Sequence, residues 1–547
     1  MSSNNKSTTV NVYLLKDVEN PKDAIRQKFL DDNRLKWLEE EYGLLSHQSI
    51  AYMVDETSKP PWLESFFLNE LTEINFKSKN LKLILFSKVV VEENDMYFAV
   101  TFGYGRTMLK RNKYVINFGR RITANLLGGA KVRGVTVRPL GTGAALRKEQ
   151  GFLPGPLSMF DVSETSDFLA KIELIVGGDY FSIATGKNAF RCSSRIDYTE
   201  IDSLLKHSYQ IYSKTNYIDD GYEFLDFIAP IEEMELIDVL DQKLIDKMEN
   251  EPEKVGFSQP DIVEDVVEFS VGTGRNQISF DIPTVESYME YLRKINKSLS
   301  VKTLNTHKLK GYFSDFDSDQ EWKIYRCLSI EVEHDGSIFY LFNGEWHTIN
   351  YDYIEETTSR YNKIERCEHD FPPLDHKVDL RYIEKEDKHI ISENEYNKRL
   401  ADGVENYLYM EDSPVKLTGK DKIELCDVFD LNAKSFIHVK RYRGISSISD
   451  LYRQAHQSFD YITDPTIKER FQGDELNDLP DVFCNVVKST KSNSDFHVLL
   501  LITSKNVSLE LSFLSKLALV ELDKYFKKLN VGGFCIKIMR EIPKEAS

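Results

Sequence analysis

Paired cysteines are missing from this chain. Its six cysteines, at 192, 327, 367, 426, 484 and 535, are scattered through 547 residues, and none forms a Cys-x-x-Cys step. That spacing excludes a zinc ribbon and offers no disulfide framework, so reduced and mostly buried thiols are expected. No run of about 18 apolar residues occurs, which argues against a membrane-spanning helix. The opening MSSNNKSTT is too polar to read as a signal peptide. Together these absences lead us to expect a cytoplasmic protein with no membrane partner. No Walker loop, His-Glu-x-x-His helix, Ser-His-Asp order or internal repeat is present to support the corresponding NTPase, zinc-protease, hydrolase or solenoid readings.

Positive charge is also short. Lys and Arg number 70 against 88 Asp and Glu, a net charge of −18, so a protein that coats nucleic acid nonspecifically is excluded and any such contact must be local. Acid in turn is missing from Met96 to Lys148, where Arg106, Lys110, Arg111, Lys113, Arg120, Arg121, Lys131, Arg133, Arg138, Arg147 and Lys148 fall. Chance would produce such a gap at a given start roughly once in ten thousand. Phe102, Tyr104, Tyr114 and Phe118 are interleaved with glycines there, including Gly103, Gly105 and Gly119. One reading is a groove for a nucleic-acid backbone, with Arg106, Lys110, Arg111, Lys113, Arg120 and Arg121 on phosphates and aromatics stacking on bases. The other is a basic face docking onto the acidic remainder of the chain, such as the helix expected over IEEMELIDVLDQKLIDKMEN. FGYGR and GTGAA each match a fragment of a dinucleotide fingerprint without its full glycine spacing.

A chain of this length is too long for one core. Three α+β units are expected: an N-terminal domain over 1–235, a middle domain with a helix and an antiparallel meander over 236–366, and a third domain over 367–547. Strands are expected at VNVYLL, across 81–105 with a turn at Glu93 to Asp95, and at FLAKIELIVGG. Helices are expected over PKDAIRQKFLDD with RLKWLEEEYG, and over IDSLLKHSYQIYSK. KIYRCLSIEVEHDGSIFYLFNGEWHTINYDYI reads as strands joined by Asp-Gly and Asn-Gly turns. CEHDFPPLDH gathers metal-ligand residue types, but its Pro372-Pro373 pair favours an extended linker.

The stretch from 422 to 457, KIELCDVFDLNAKSFIHVKRYRGISSISDLYRQAHQ, reads as strand, turn, strand and helix. Alternation puts Asp427 on one face with Ile423 and Leu425, turns Glu424 away from it, and groups His438, Lys440 and Tyr442 on the second strand. A Lys inside an apolar strand needs a partner, because an unpaired buried ammonium is costly. Asp427, His438 and Lys440 would supply two metal ligands and a point charge for phosphate, and Gln454 sits on the next helix. The plainer alternatives are a solvated edge Asp, a satisfied core His, a snorkelling Lys and a helix-surface amide.

This arrangement resembles the PD-(D/E)xK nuclease superfamily, in particular its Mrr-like restriction branch, with His438-Val439-Lys440-Arg441-Tyr442 standing where that branch has Glu-x-Lys-Arg-Tyr. The resemblance implies an α/β core of helix, three strands, helix and strand. Here these are SENEYNKRLAD with Ser392 as cap and Gly403 as stop, NYLYME, the two strands above, SISDLYRQAHQSF capped by Ser446 or Ser447, and HVLLLITS. SFLSKLALVELDKYFKKLN and FCIKIMREI extend it. Asp427, His438, Lys440 and Gln454 are then catalytic, Asp427 and His438 hold Mg²⁺ or Mn²⁺, and Arg441 and Arg443 join the nucleic-acid contacts. A neutral imidazole brings no negative charge, whereas Mg²⁺ prefers oxygen ligands. Through FGYGR with NFGRR, GEWHTINYDY, EYNKRLAD, IELCD and FIHVKRYRG, the chain also resembles a sporadically distributed bacterial family of uncharacterised proteins found near restriction and phage-defence genes. That family carries His at the position of His438. The implied function is a metal-dependent endonuclease of antiphage defence acting on DNA in preference to RNA, with a second copy of the chain among the partners to expect. The alternative is an inactive nuclease fold that binds or senses nucleic acid or a phage component.

Overall fold

The computed structural model describes residues 7–38, 44–56, 79–140, 146–164, 167–260, 266–272, 276–280, 283–313, 320–383, 388–416, 422–463, 479–505 and 509–543. The fold is mixed α+β, built on several mainly antiparallel sheets. Among the described residues no helix is long and apolar enough to cross a membrane.

The alternating apolar residues of Thr8–Leu14 place that strand at the centre of the N-terminal sheet, between Asn94–Gly103 and Phe190–Ser194, antiparallel to both. Among the described residues ten strands make up this sheet. The Lys79–Val91 and Asn94–Gly103 pair is a hairpin closed at Glu92 and Glu93, both at positive φ (47° and 64°), as a two-residue turn that follows strand twist requires. The helix expected over RLKWLEEEYG is not found at its start. Lys36–Leu38 is an edge strand whose Trp37 stacks on Phe86 at 6.1 Å, so burial of the indole against the sheet outweighs local helix propensity. Residues 39–43 lie outside the described residues, as do residues 141–145, the GTGAA fragment.

In the middle of the chain, Leu328–His334, Ser337–Phe342 and Glu345–Ile349 form the expected meander. Its turns, Asp335-Gly336 and Asn343-Gly344, carry positive φ at both positions. The flanks differ from expectation: Ile324–Cys327 is a helical turn and Tyr351–Asn362 is a helix, started by the Asn350 side chain accepting from the Tyr353 N–H at 3.2 Å. Ile228–Pro230 joins one edge of this sheet, beside Glu345–Ile349.

The C-terminal sheet holds the candidate site. Its elements run α1 (Glu393–Asp402), β1 (Tyr407–Tyr409), β2 (Val428–Asp430), β3 (Ser435–Arg441), α2 (Ile445–Thr463), β4 (His497–Ser504), α3 (Phe513–Lys528) and β5 (Gly533–Arg540). β1, β2 and β3 are antiparallel, β3, β4 and β5 are parallel, and Glu365–Arg366 adds a parallel edge beside β5. One face packs Val428, Ile437, Val439, Leu499 and Leu501 against Tyr396 and Leu400 of α1. The other packs Phe436, Val498, Leu500 and Ile502 against α2 and α3. These layers explain the near-continuous apolar run of β4, which is covered on both sides.

Three local expectations fail. α2 starts at Ile445, ahead of both serines proposed as caps, and the Ser447 hydroxyl instead accepts the Arg443 N–H at 2.8 Å. Gly403 ends α1 at φ −80°, an ordinary right-handed conformation rather than a left-handed glycine cap. Lys422–Ile423 leaves the sheet to pair with Val415–Lys416, so the strand expected to carry Asp427 is interrupted before it.

Candidate active site

β2 and β3 bring the sequence-derived residues to one end of the C-terminal sheet. Asp427 stands just before β2, where its backbone N–H donates to Ile437 O at 3.1 Å and its carbonyl accepts from Met410 N at 2.9 Å. Its carboxylate then replaces a ladder carbonyl: Oδ2 accepts the Val439 N–H at 2.7 Å. A carboxylate in this position is buried. Desolvation pushes its pKa up to about 7, the Val439 N–H lowers it, Glu411 and Glu393 raise it further, and Lys440 lowers it.

Lys440 has the partner that its apolar strand demands. Its Nζ lies 3.5 Å from Glu393 Oε2, on the first residue of α1, and both side chains are about three-quarters buried. Glu393 Oε1 also accepts the Arg441 N–H at 3.2 Å, which ties the helix start to the end of β3. Glu411, after β1, accepts from Asn397 Nδ2 at 3.1 Å. Burial raises the pKa of Glu424, and Glu411 raises it further while Lys440 lowers it. Alternation had turned Glu424 away, but it shares these charged neighbours with Asp427, because the chain is not a strand between 424 and 427. Glu393 thus pairs with Lys440, and Asp427, Glu411 and Glu424 lie within electrostatic reach of one another.

Glu393 and Glu411 escaped sequence reading. Glu393 follows the cap residue Ser392, where an acid reads as a helix-dipole partner. Ser392 Oγ does accept from Glu395 N, at 3.3 Å. Glu411 directly follows the first strand, and that adjacency was the available signal.

His438 lies elsewhere. Its side chain is 1% exposed and faces the core with Phe436. Burial alone takes its pKa down to about 3, which fixes a neutral ring. Phe436, near the start of β3, packs on Phe459 near the end of α2 with centroids 5.1 Å apart, so the two elements run in opposite directions. Two residues along β3 span about 6.6 Å, or about four helical residues, which brings His438 level with Gln454 and Ala455. Among the described residues, His438 Nε2 and Gln454 Oε1 are both buried without a hydrogen-bond partner. Arg441 also points inward: its guanidinium donates to Glu541 at 3.1 and 3.0 Å, and Glu541 accepts in addition from Thr503 Oγ1 at 3.2 Å and lies 2.5 Å from His376 Nε2. Arg443 is exposed. The expected linker CEHDFPPLDH thus contributes His376 to a buried ion-pair network.

The N-terminal basic residues divide. Arg106 is exposed, while Lys110 and Lys113 border an open cleft that also holds Asp17, Glu19, Asp23 and Asp95. Lys113 Nζ donates to Asp17 O at 2.5 Å. Arg111 reaches the middle sheet, donating to Gly344 O at 2.9 Å and lying 3.4 Å from Glu345. Arg120 donates to the carbonyls of Leu225 and Ile228 and lies over the Phe168 ring, and Arg121 lies over Tyr212. Tyr114 and Phe118, expected as stacking platforms, are core residues. Gly119 is required by its own fold, since a Cβ there would come 1.9 Å from Ala189 O.

No curated protein and no solved structure matches the chain. A family match covers nearly all of it, residues 10–539, and the chain belongs to that family of unknown function, DUF6119.

Proposed function

We propose that the C-terminal unit hydrolyses phosphodiester bonds of nucleic acid, DNA in preference to RNA, in bacterial antiphage defence. The carrying observation is the placement of the buried Asp427 carboxylate, held by the Val439 N–H of β3, on the strand that presents Lys440 to Glu393. The sheet around them supports the reading. Its helix, three antiparallel strands, crossover helix and parallel fourth strand follow the order that the PD-(D/E)xK resemblance implies.

The donor chemistry suits a hard cation, Mg²⁺ or Mn²⁺. Carboxylates in excess of the one ammonium would repel a phosphate unless a cation offset them. Asp427 with Glu411 or Glu393 would hold it. Among the described residues no three His, Cys, Asp or Glu stand close enough to hold a metal ion, so these carboxylates must draw in around it. When bound, such an ion supplies a Lewis acid and an ionised water. The chain does the rest. Val439 N–H holds Asp427 Oδ2 and leaves Oδ1 for a ligand. Glu393 keeps the Lys440 ammonium at the site, where it offsets charge developing on the phosphate.

One observation favours a second reading, binding without cleavage: His438 stands at the usual carboxylate position with its ring enclosed and neutral. A cleavage assay on phage DNA and RNA with Mg²⁺ or Mn²⁺ separates the two. Lys440→Ala should lower the rate about a hundredfold to a thousandfold in folded protein. Unchanged cleavage in that variant removes the assigned site, and binding without any cleavage by the wild type supports the second reading.

A further inference from the structure

A cavity of about 250 Å³ opens between the helix Phe118–Leu126 and the strand Ile228–Pro230, which joins the middle meander. Its volume equals about eight waters, too small for a nucleic-acid duplex and suited to a small molecule. The helix side presents Asn117, Arg120 and Arg121, and the facing wall presents Tyr217 and Asp226 with apolar neighbours.

The charges on this wall are unevenly satisfied. Tyr217 donates to Asp226 at 2.5 Å, so the one carboxylate is already engaged. Arg120 bonds to carbonyls only, and burial holds its pKa down to about 10. Arg121 makes no hydrogen bond or ion pair through its guanidinium among the described residues, and its Nε is buried. A buried N–H without an acceptor costs about 1–3 kcal/mol. A guanidinium fork accepts planar anions in bidentate fashion, and apolar lining accommodates a carbon skeleton.

We propose that this cavity binds a small organic anion, a phosphate or carboxylate ester-sized molecule, with its charged end on Arg121 and its carbon skeleton against the Ile228–Pro230 wall. Arg120 adds positive field without needing to move. Since the cavity lies where the N-terminal sheet unit meets the middle sheet, an occupant would contact both.

The test is calorimetric titration of the full chain with inorganic phosphate, glycerol phosphate and acetate. Saturable one-to-one binding with a dissociation constant below about 1 mM is expected for at least one of them. Tighter glycerol phosphate than inorganic phosphate supports an organic phosphate, and tighter acetate supports a carboxylate. Arg121→Gln should weaken binding about tenfold or more at unchanged melting temperature without ligand. Asp226→Asn, which removes the opposing carboxylate, should strengthen it and keeps the proposal testable if the Arg121 variant fails to fold. No saturable binding of any probe up to about 10 mM, or an unchanged affinity in either folded variant, overturns the proposal.

Discussion

Burial acts in opposite senses on Asp427 and His438, because an acid escapes its charge by taking up a proton and a base by releasing one. With its pKa raised to about 7, Asp427 contributes stability that is fully present below the ordinary carboxylate range and is lost as pH rises through 7. With its pKa lowered to about 3, His438 contributes stability present above its ordinary 6.5 and lost as pH falls toward 3. The two slopes oppose each other between about pH 4 and 6.5. Asp427→Asn should therefore stabilise the protein at pH 8, by on the order of 2 kcal/mol, and steepen its loss of stability in acid. His438→Leu should do the reverse, leaving stability that declines as pH rises from 4 to 7. Urea unfolding across that range reads both effects, and parallel profiles for all three proteins would refute the assignment. In the wild type Mg²⁺ should raise the melting temperature at pH 8 by favouring ionised Asp427, and in Asp427→Asn it should not.

At the scale of elements, the turn from β3 into α2 holds the site together. Gly444 sits there at φ +114°, and a Cβ on it would come 3.1 Å from the Cα of Lys254 in the middle of the chain. Gly444→Ala should cost about 1–3 kcal/mol by equilibrium unfolding, both from its backbone conformation and from that contact. A cost below a few tenths of a kcal/mol would mean the turn relaxes freely. The basic segment divides in the same way. Neutralising Arg106, Lys110 and Lys113 should flatten the salt dependence of nucleic-acid binding by roughly 0.9 per lost phosphate contact. Arg111→Gln should instead lower stability, since its partners are Gly344 O and Glu345. A stability loss from the first set without a change in salt slope would make the whole segment a docking face.

Across the whole molecule, a shared core binds the three regions. Leu140 and Phe168 from the first, Tyr340 and Phe342 from the meander, and Phe513, Leu514 and Leu517 of α3 pack as one apolar cluster. Glu331 of the meander accepts the N–H groups of Phe513 and Leu514 at 2.8 and 2.9 Å, and so caps α3 from another sheet. Residues 367–547 expressed alone should consequently expose this apolar end and aggregate or melt well below the full chain. An equally stable, monomeric fragment would show that the core between regions adds little. Glu331→Ala should cost about 1–2 kcal/mol in the full chain by equilibrium unfolding.

Local chemistry is legible wherever period and turn residues act within a few residues of each other. The hairpin after Lys79–Val91, whose turn falls at 92–93 rather than at 93–95, the Asp-Gly and Asn-Gly turns, the buried run of β4 and the Ser512 start of α3 are all of this kind. One hairpin likewise brings Asp427 up to the strand that carries Lys440, through the Val439 N–H. What the sequence leaves open needs contacts between distant segments. Glu393 and Glu411 join Lys440 and Asp427 only because α1 and β1 fold against β2 and β3, and Lys36–Leu38 becomes a strand only because a sheet edge is there to receive it. Arg120, Arg121 and Arg441 look like surface cations in sequence and turn inward in space. The acceptors of Arg120 and Arg441, the carbonyls of Leu225 and Ile228 and the carboxylate of Glu541, lie about a hundred residues away, beyond the reach of any local pattern.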